Sequence, residues 1–188
     1  MKDDIERYCI AELARMHDAH RRSATLLFDL SERATQPLLA DTLRELVAAN
    51  TWCLEQGEKA FAMLGREIPD APNAEVAVIA LEAQNEEEEI DPGVRDLMIA
   101  QAALRLGHYA LASYTGLASW FRQLGHYDVG KLVDGMAGRI HGAIAHVEAL
   151  QPSLSGLFVD EPHSYRTPGV ARPREREPRS DLDGFGRR

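Results

Sequence analysis

Five of the seven histidines, His17, His20, His108, His141 and His146, fall on stretches whose apolar spacing is helical. Imidazole is a common ligand for zinc and iron. His17 and His20 are three residues apart, so they are near neighbours on one helix, with His20 on the apolar seam itself. His17, His20 and His108 are the candidate metal ligands. The plain alternative is that His20 hydrogen-bonds Asn50 or a backbone group and the other histidines lie on helix flanks. The two cysteines, Cys9 and Cys53, form no CxxC motif. Neither cysteine has an obvious basic activator in the sequence, and Cys53, across a predicted hairpin from His17, is the only candidate. Four consecutive glutamates at 86–89 could attract a cation, but such a run more often forms a solvated face. No phosphate-cradling glycine loop and no Gly-x-Ser-x-Gly turn occurs.

The elements that must position these groups are long helices. The first is expected over residues 3–34, with the seam Ile5, Cys9, Leu13, Met16, His20, Ser23, Leu27, Leu30. Thr35-Gln36-Pro37 breaks it. The second, over 38–64, carries Leu39, Leu43, Leu46, Asn50, Cys53, Gly57, Ala60 and Leu64, and Gly65 caps its end. So short a break makes an antiparallel hairpin that sets His20 near Asn50. The cysteines are then about eight residues out of register, roughly 12 Å apart, too far to bridge. They read as small buried hydrophobes.

A crossover follows, with Asn73 capping a short helix from Ala74 to about Glu88. Asp91 and Pro92 open the longest element, whose seam is Leu97, Ala100, Leu104, Gly107, Leu111, Tyr114, Ala118, Phe121. After Gly125 comes a last helix over 128–150, with Val129, Val133, Met136, Ile140, Ala143, Val147 and Leu150, closed by Pro152. Two hairpins joined by a long crossover imply an all-α, ferritin-like four-helix bundle over residues 1–150. Residues 151–188 hold five of the nine prolines and read as a disordered tail.

The net charge of −9 sits on the bundle, since the tail has seven arginines against six acids. An acidic surface disfavours nucleic acid and anionic lipid. No run is long and apolar enough to span a membrane, and MKDDIERY lacks a signal peptide's basic start and apolar run. The expectation is a cytoplasmic protein.

Bundles of this connectivity often hold two metals through inward glutamates and Glu-x-x-His pairs. No Glu-x-x-His pair lies on the four long helices, and the mid-height seam residues are His20, Asn50, Gly107 and Ile140. At Asp91-Pro92, Val94-Arg95-Asp96, His108-Tyr109, Tyr114, Leu117, Trp120 and Gln123-Leu124-Gly125 the chain resembles the YciE/YciF-type ferritin-like stress proteins of bacteria. Ala34-Thr35 with Pro37, and Leu64-Gly65, fit the same pattern. The resemblance covers roughly residues 8–150 and implies a di-metal ferritin-like bundle and a homodimer. It also implies carboxylates where this chain has His20, Ala48-Ala49, Gly107, Ala110, Arg139, Ile140 and Ile144. His20, Ala49, Gly107 and Ile140 are thus the lost-ligand positions.

The leading expectation is a non-catalytic, stress-associated binding or structural protein with a degenerate di-metal site, no cofactor, and a tail that docks a protein partner. One alternative is an iron- or manganese-handling protein with a rebuilt site around His20. The other is a cargo or adaptor protein addressed by its C-terminal tail.

Overall fold

The computed structural model describes residues 1–84 and 90–156. Among them are five helices and no strand: α1 (Lys2–Arg33), α2 (Pro37–Met63), α3 (Ala74–Gln84), α4 (Pro92–Leu124) and α5 (Tyr127–Gly156). The glutamate run at 86–89 and the tail from 157 onward lie outside the described residues.

The ends follow from local chemistry. Pro37 stands in the first turn of α2, where its missing N–H is no loss. The Asp91 side chain accepts from Gly93 N and Val94 N at the start of α4. Gly125 ends α4 at φ 95°, a left-handed conformation that a Cβ would strain. Asn73 Oδ1 accepts from Val76 N and caps α3, as expected.

α1 packs on α2, α4 on α5, α2 on α5 and α1 on α4, so the bundle runs α1–α2–α5–α4 around its axis. Tyr8 near the start of α1 meets Trp120 near the end of α4. Glu45 of α2 pairs with His146 of α5. Every neighbouring pair is therefore antiparallel. α3 lies outside, against α1 and α4, with Val76 and Ile79 buried.

The core is apolar from end to end. Leu13, Leu27, Leu43, Leu46, Ile99, Leu117 and Phe121 are all at most 1% exposed. Each such side chain contributes about 1.5–3 kcal/mol on burial.

Four expectations are corrected. Ile5 is 42% exposed, because α1 begins beyond the end of the packed core. On α4 the expected seam residues Leu97, Leu104 and Leu111 are only half-buried, while Ile99, Ala103, Leu106, Ala110 and Leu117 are buried. α4 is covered by α5, α1 and α3 together, so its buried face is wider than one seam.

α5 does not stop at Pro152 but continues to Gly156. The ring is on the exposed side, and the apolar line continues to Leu154, which is fully buried. Likewise Ile144, not Ala143, is the fully buried residue at that level of α5.

Candidate functional site

His20 stands at mid-height on α1 and is 1% exposed. Its Nδ1 is 2.6 Å from Asn50 Oδ1 on α2, and its Nε2 is hydrogen-bonded to the Tyr114 hydroxyl on α4. Asn50 Nδ2 donates to Leu46 O at 2.8 Å, which fixes the amide orientation. Oδ1 is then an acceptor, so Nδ1 carries the proton and Nε2 accepts from Tyr114 O–H. The chain Tyr114–His20–Asn50–Leu46 is satisfied at every polar atom of the imidazole.

Burial pushes His20 down to about 4, against the opposing pull of Asn50. Burial likewise holds the Tyr114 phenol well above its ordinary value. Both groups are neutral at pH 7.

The other three positions contribute no donor. Ala49 is fully buried, and Ile140 is 1% exposed. A Cβ built on Gly107 would lie 2.1 Å from Ile144 Cγ2, so the glycine is there to admit the isoleucine. The remaining gap, of about 10 Å3, is bordered by Leu27, Leu46, Asn50, Leu106, Gly107 and Ile140. That is scarcely room for one water.

A pair of iron or manganese ions needs carboxylate or free imidazole donors around a space several times larger. This ring supplies no carboxylate, no free imidazole nitrogen and no such space. Among the described residues no three His, Cys, Asp or Glu side chains converge where they could hold a metal ion.

The remaining sequence candidates do not join this cluster. His17 packs on Gly57, where a Cβ would meet its Cδ2 at 3.1 Å. Its Nε2 is buried and has no hydrogen-bond partner. Burial lowers its pKa. His108 is exposed, with Nε2 3.2 Å from Glu148 Oε1. His146 pairs with Glu45 on the surface, and His141 is exposed. Cys9 and Cys53 are free and buried. Cys53 points at Met136 O, and burial pushes its thiol up to about 12, away from the thiolate form.

Two polar nodes were not singled out from the sequence. Asp96 is fully buried and accepts from Thr35 N at 2.8 Å, Thr35 Oγ1 at 2.7 Å and Gln36 N at 2.9 Å. It fastens the start of α4 to the α1–α2 turn. Thr35 and Asp96 belong to two separate stretches that carry the family resemblance, and contact between them explains why both are present.

The second node joins the crossover to the bundle. Asn73 N donates to Asp18 at 2.8 Å, and Asn73 Nδ2 donates to Tyr109 Oη at 2.8 Å. Burial alone would raise the Asp18 carboxyl. The Asn73 N–H, Arg21 and Arg22 outweigh it and hold Asp18 at about 2. Tyr109, half of the His108-Tyr109 pair, thus has a packing role. A lone capping Asn followed by a family-matching Tyr was the signal for it.

Residues 5–151 match the family described as a domain of unknown function, DUF892. No curated protein matches the chain. Among solved structures, the E. coli stress protein YciF superposes with a TM-score of 0.76 at 21% identity, over 81% of this chain and 97% of that one. YcfI of Rhodopseudomonas palustris, a candidate structural protein, superposes with a TM-score of 0.73 at 23% identity, over 77% of this chain and 92% of that one. These likenesses carry the fold, and the five-helix order with its buried seam is that fold. With its family match spanning nearly the whole bundle, the chain belongs to the DUF892 family, and its fold is the all-α, ferritin-like bundle that YciF shows.

Proposed function

We propose that this protein is a non-catalytic, stress-associated structural or binding protein whose di-metal centre has been replaced by packing. The observation that carries this is the Tyr114–His20–Asn50 chain: both imidazole nitrogens already have partners. Gly107 under Ile144, with Ala49 and Ile140 buried beside it, fills the space that ligands and ions would need. A cytoplasmic homodimer is part of the reading. The stress association rests on the description that YciF carries.

Calorimetric titration with ferrous iron or manganese, without oxygen, tests it. No saturable heat is expected. Saturable binding at stoichiometric ratio overturns it.

The rebuilt histidine site has one observation in its favour, the unpartnered Nε2 of His17. A second ligand beside it is needed, and His20 is committed to its own partners. If that reading held, His17→Ala would abolish metal binding. The adaptor reading rests on residues 151–188, of which the structure describes only the first six.

A further inference from the structure

Tyr114 on α4 has no exposed surface, and Ala110, Leu117, Ala118 and Phe121 around it on the same helix are buried apolar residues. Among the described residues its hydroxyl has one hydrogen-bond partner, His20 Nε2. Asn50 Oδ1 holds the imidazole proton on Nδ1, so the Nε2 lone pair faces the phenolic O–H.

A phenol so placed does not lose its proton alone. Burial holds Tyr114 well above its ordinary value, because a phenolate in the core has no water to solvate it. An electron is less confined. The core is separated from solvent by one helix diameter, about 10 Å, which an electron can tunnel across and a proton cannot. Loss of the electron alone would leave a radical cation in apolar surroundings, at a large cost in solvation. Loss of the electron with the proton leaves a neutral phenoxyl, provided that a base already faces the O–H.

His20 is such a base. Burial keeps its imidazole neutral down to about 4, so Nε2 is open to a proton at neutral pH. The imidazolium formed by the transfer has both N–H groups engaged, Nδ1–H with Asn50 Oδ1 and Nε2–H with the phenoxyl oxygen. Among the described residues no other tyrosine is placed this way. Tyr8 and Tyr127 are 50% and 69% exposed, and the Tyr109 hydroxyl meets Asn73.

We propose that Tyr114 and His20 form a redox pair that yields one electron to a one-electron oxidant in solution, of the oxygen-radical class, while the phenolic proton moves to His20 Nε2. The Tyr114 O–H bond breaks and an Nε2–H bond forms. The oxidant takes the electron and becomes its anion, Tyr114 becomes a neutral phenoxyl, and His20 becomes imidazolium. An electron returned by a small one-electron reductant such as ascorbate reverses both changes, and the proton goes back to the phenolic oxygen. The packed core keeps the phenoxyl from coupling with a second radical. This activity goes beyond the structural role proposed above and is independent of metal.

The test oxidises the full chain with photogenerated tris(bipyridine)ruthenium(III) and follows the radicals by electron paramagnetic resonance. Wild type is expected to give a neutral tyrosyl radical that outlasts those of the exposed tyrosines. The long-lived signal is expected to be lost in Tyr114→Phe. In His20→Gln it is expected to form several-fold more slowly, since the amide oxygen accepts the hydrogen bond but not the proton. Circular dichroism checks that both variants keep the bundle. Wild type with isotopically labelled histidine needs no substitution, and its radical is expected to show a nitrogen coupling from His20 Nε2. No long-lived radical in wild type, or one that persists in Tyr114→Phe, overturns the proposal. So does a Tyr114 radical that forms as fast in His20→Gln, or one without the histidine coupling.

Discussion

His20 Nδ1 lies 2.6 Å from Asn50 Oδ1, inside the bundle and away from water. The contact joins α1 to α2 at the level where a ferritin-like bundle would hold its metals, and Tyr114 completes it from α4. Asn50→Leu is expected to leave the Nδ1 proton of His20 without an acceptor and to cost about 1–3 kcal/mol. His20→Leu combined with Asn50→Leu is expected to recover part of that loss. Urea unfolding of the single and double variants measures the coupling. Strictly additive losses would mean that the pair does not interact.

The same burial makes stability depend on pH. His20 takes its proton at about 4 in the fold, against 6.5 unfolded. Between those values the unfolded chain holds more protons, so stability falls as pH is lowered from 6.5 and levels off below about 4. The full loss is roughly 3 kcal/mol. His17, also lowered by burial, acts in the same direction. Asp18, held at about 2 against 3.8, keeps its contribution above 3.8 and loses it only as pH falls towards 2. His20→Gln is therefore expected to flatten the stability curve between pH 6.5 and 4 and to leave the lower limb in place. Urea midpoints across that range give the slope.

Gly107 and Ile144 are a matched pair. Gly107→Ala drives a Cβ into the isoleucine and is expected to cost about 1–3 kcal/mol, although alanine favours helix. Ile144→Ala in the same chain makes room, and the pair is expected to be more stable than the sum of the single losses. Thermal melts of the three variants check this. A Gly107→Ala protein as stable as wild type would show that the contact yields freely.

Asp96 fastens the α1–α2 turn through three hydrogen bonds. Asp96→Ala leaves Thr35 N, Thr35 Oγ1 and Gln36 N without that acceptor and is expected to cost about 3 kcal/mol. Asp96→Asn keeps one carbonyl oxygen and is expected to lose less. Hydrogen exchange of the amides of Thr35 and Gln36 reports the loss locally, and both are expected to exchange faster in either variant.

The legible part of the molecule is the part governed by short-range periodicity. Leu39, Leu43, Leu46, Asn50 and Cys53 step along one face of α2, and all are buried. Counting back from the α1–α2 turn also puts His20 beside Asn50, because both lie on one hairpin. Tyr114 was harder to see: it reaches His20 from the other hairpin, and no register links the two. Asp96 was missed for a related reason. Asp96 sits in the second turn of α4, where sequence offers no local partner for it, and its partners lie about sixty residues away. Pro152 reads as a stop in the sequence, but Leu154 keeps the apolar line going and α5 runs on to Gly156.

The central claim is that packing has taken the place of a di-metal centre, and elemental analysis tests it most directly. The protein is purified without chelator, reloaded with ferrous iron or manganese, desalted and counted for metal, beside His20→Ala. Both proteins are expected to retain the same substoichiometric trace. Stoichiometric iron or manganese that stays with wild type and is lost from His20→Ala would contradict the account.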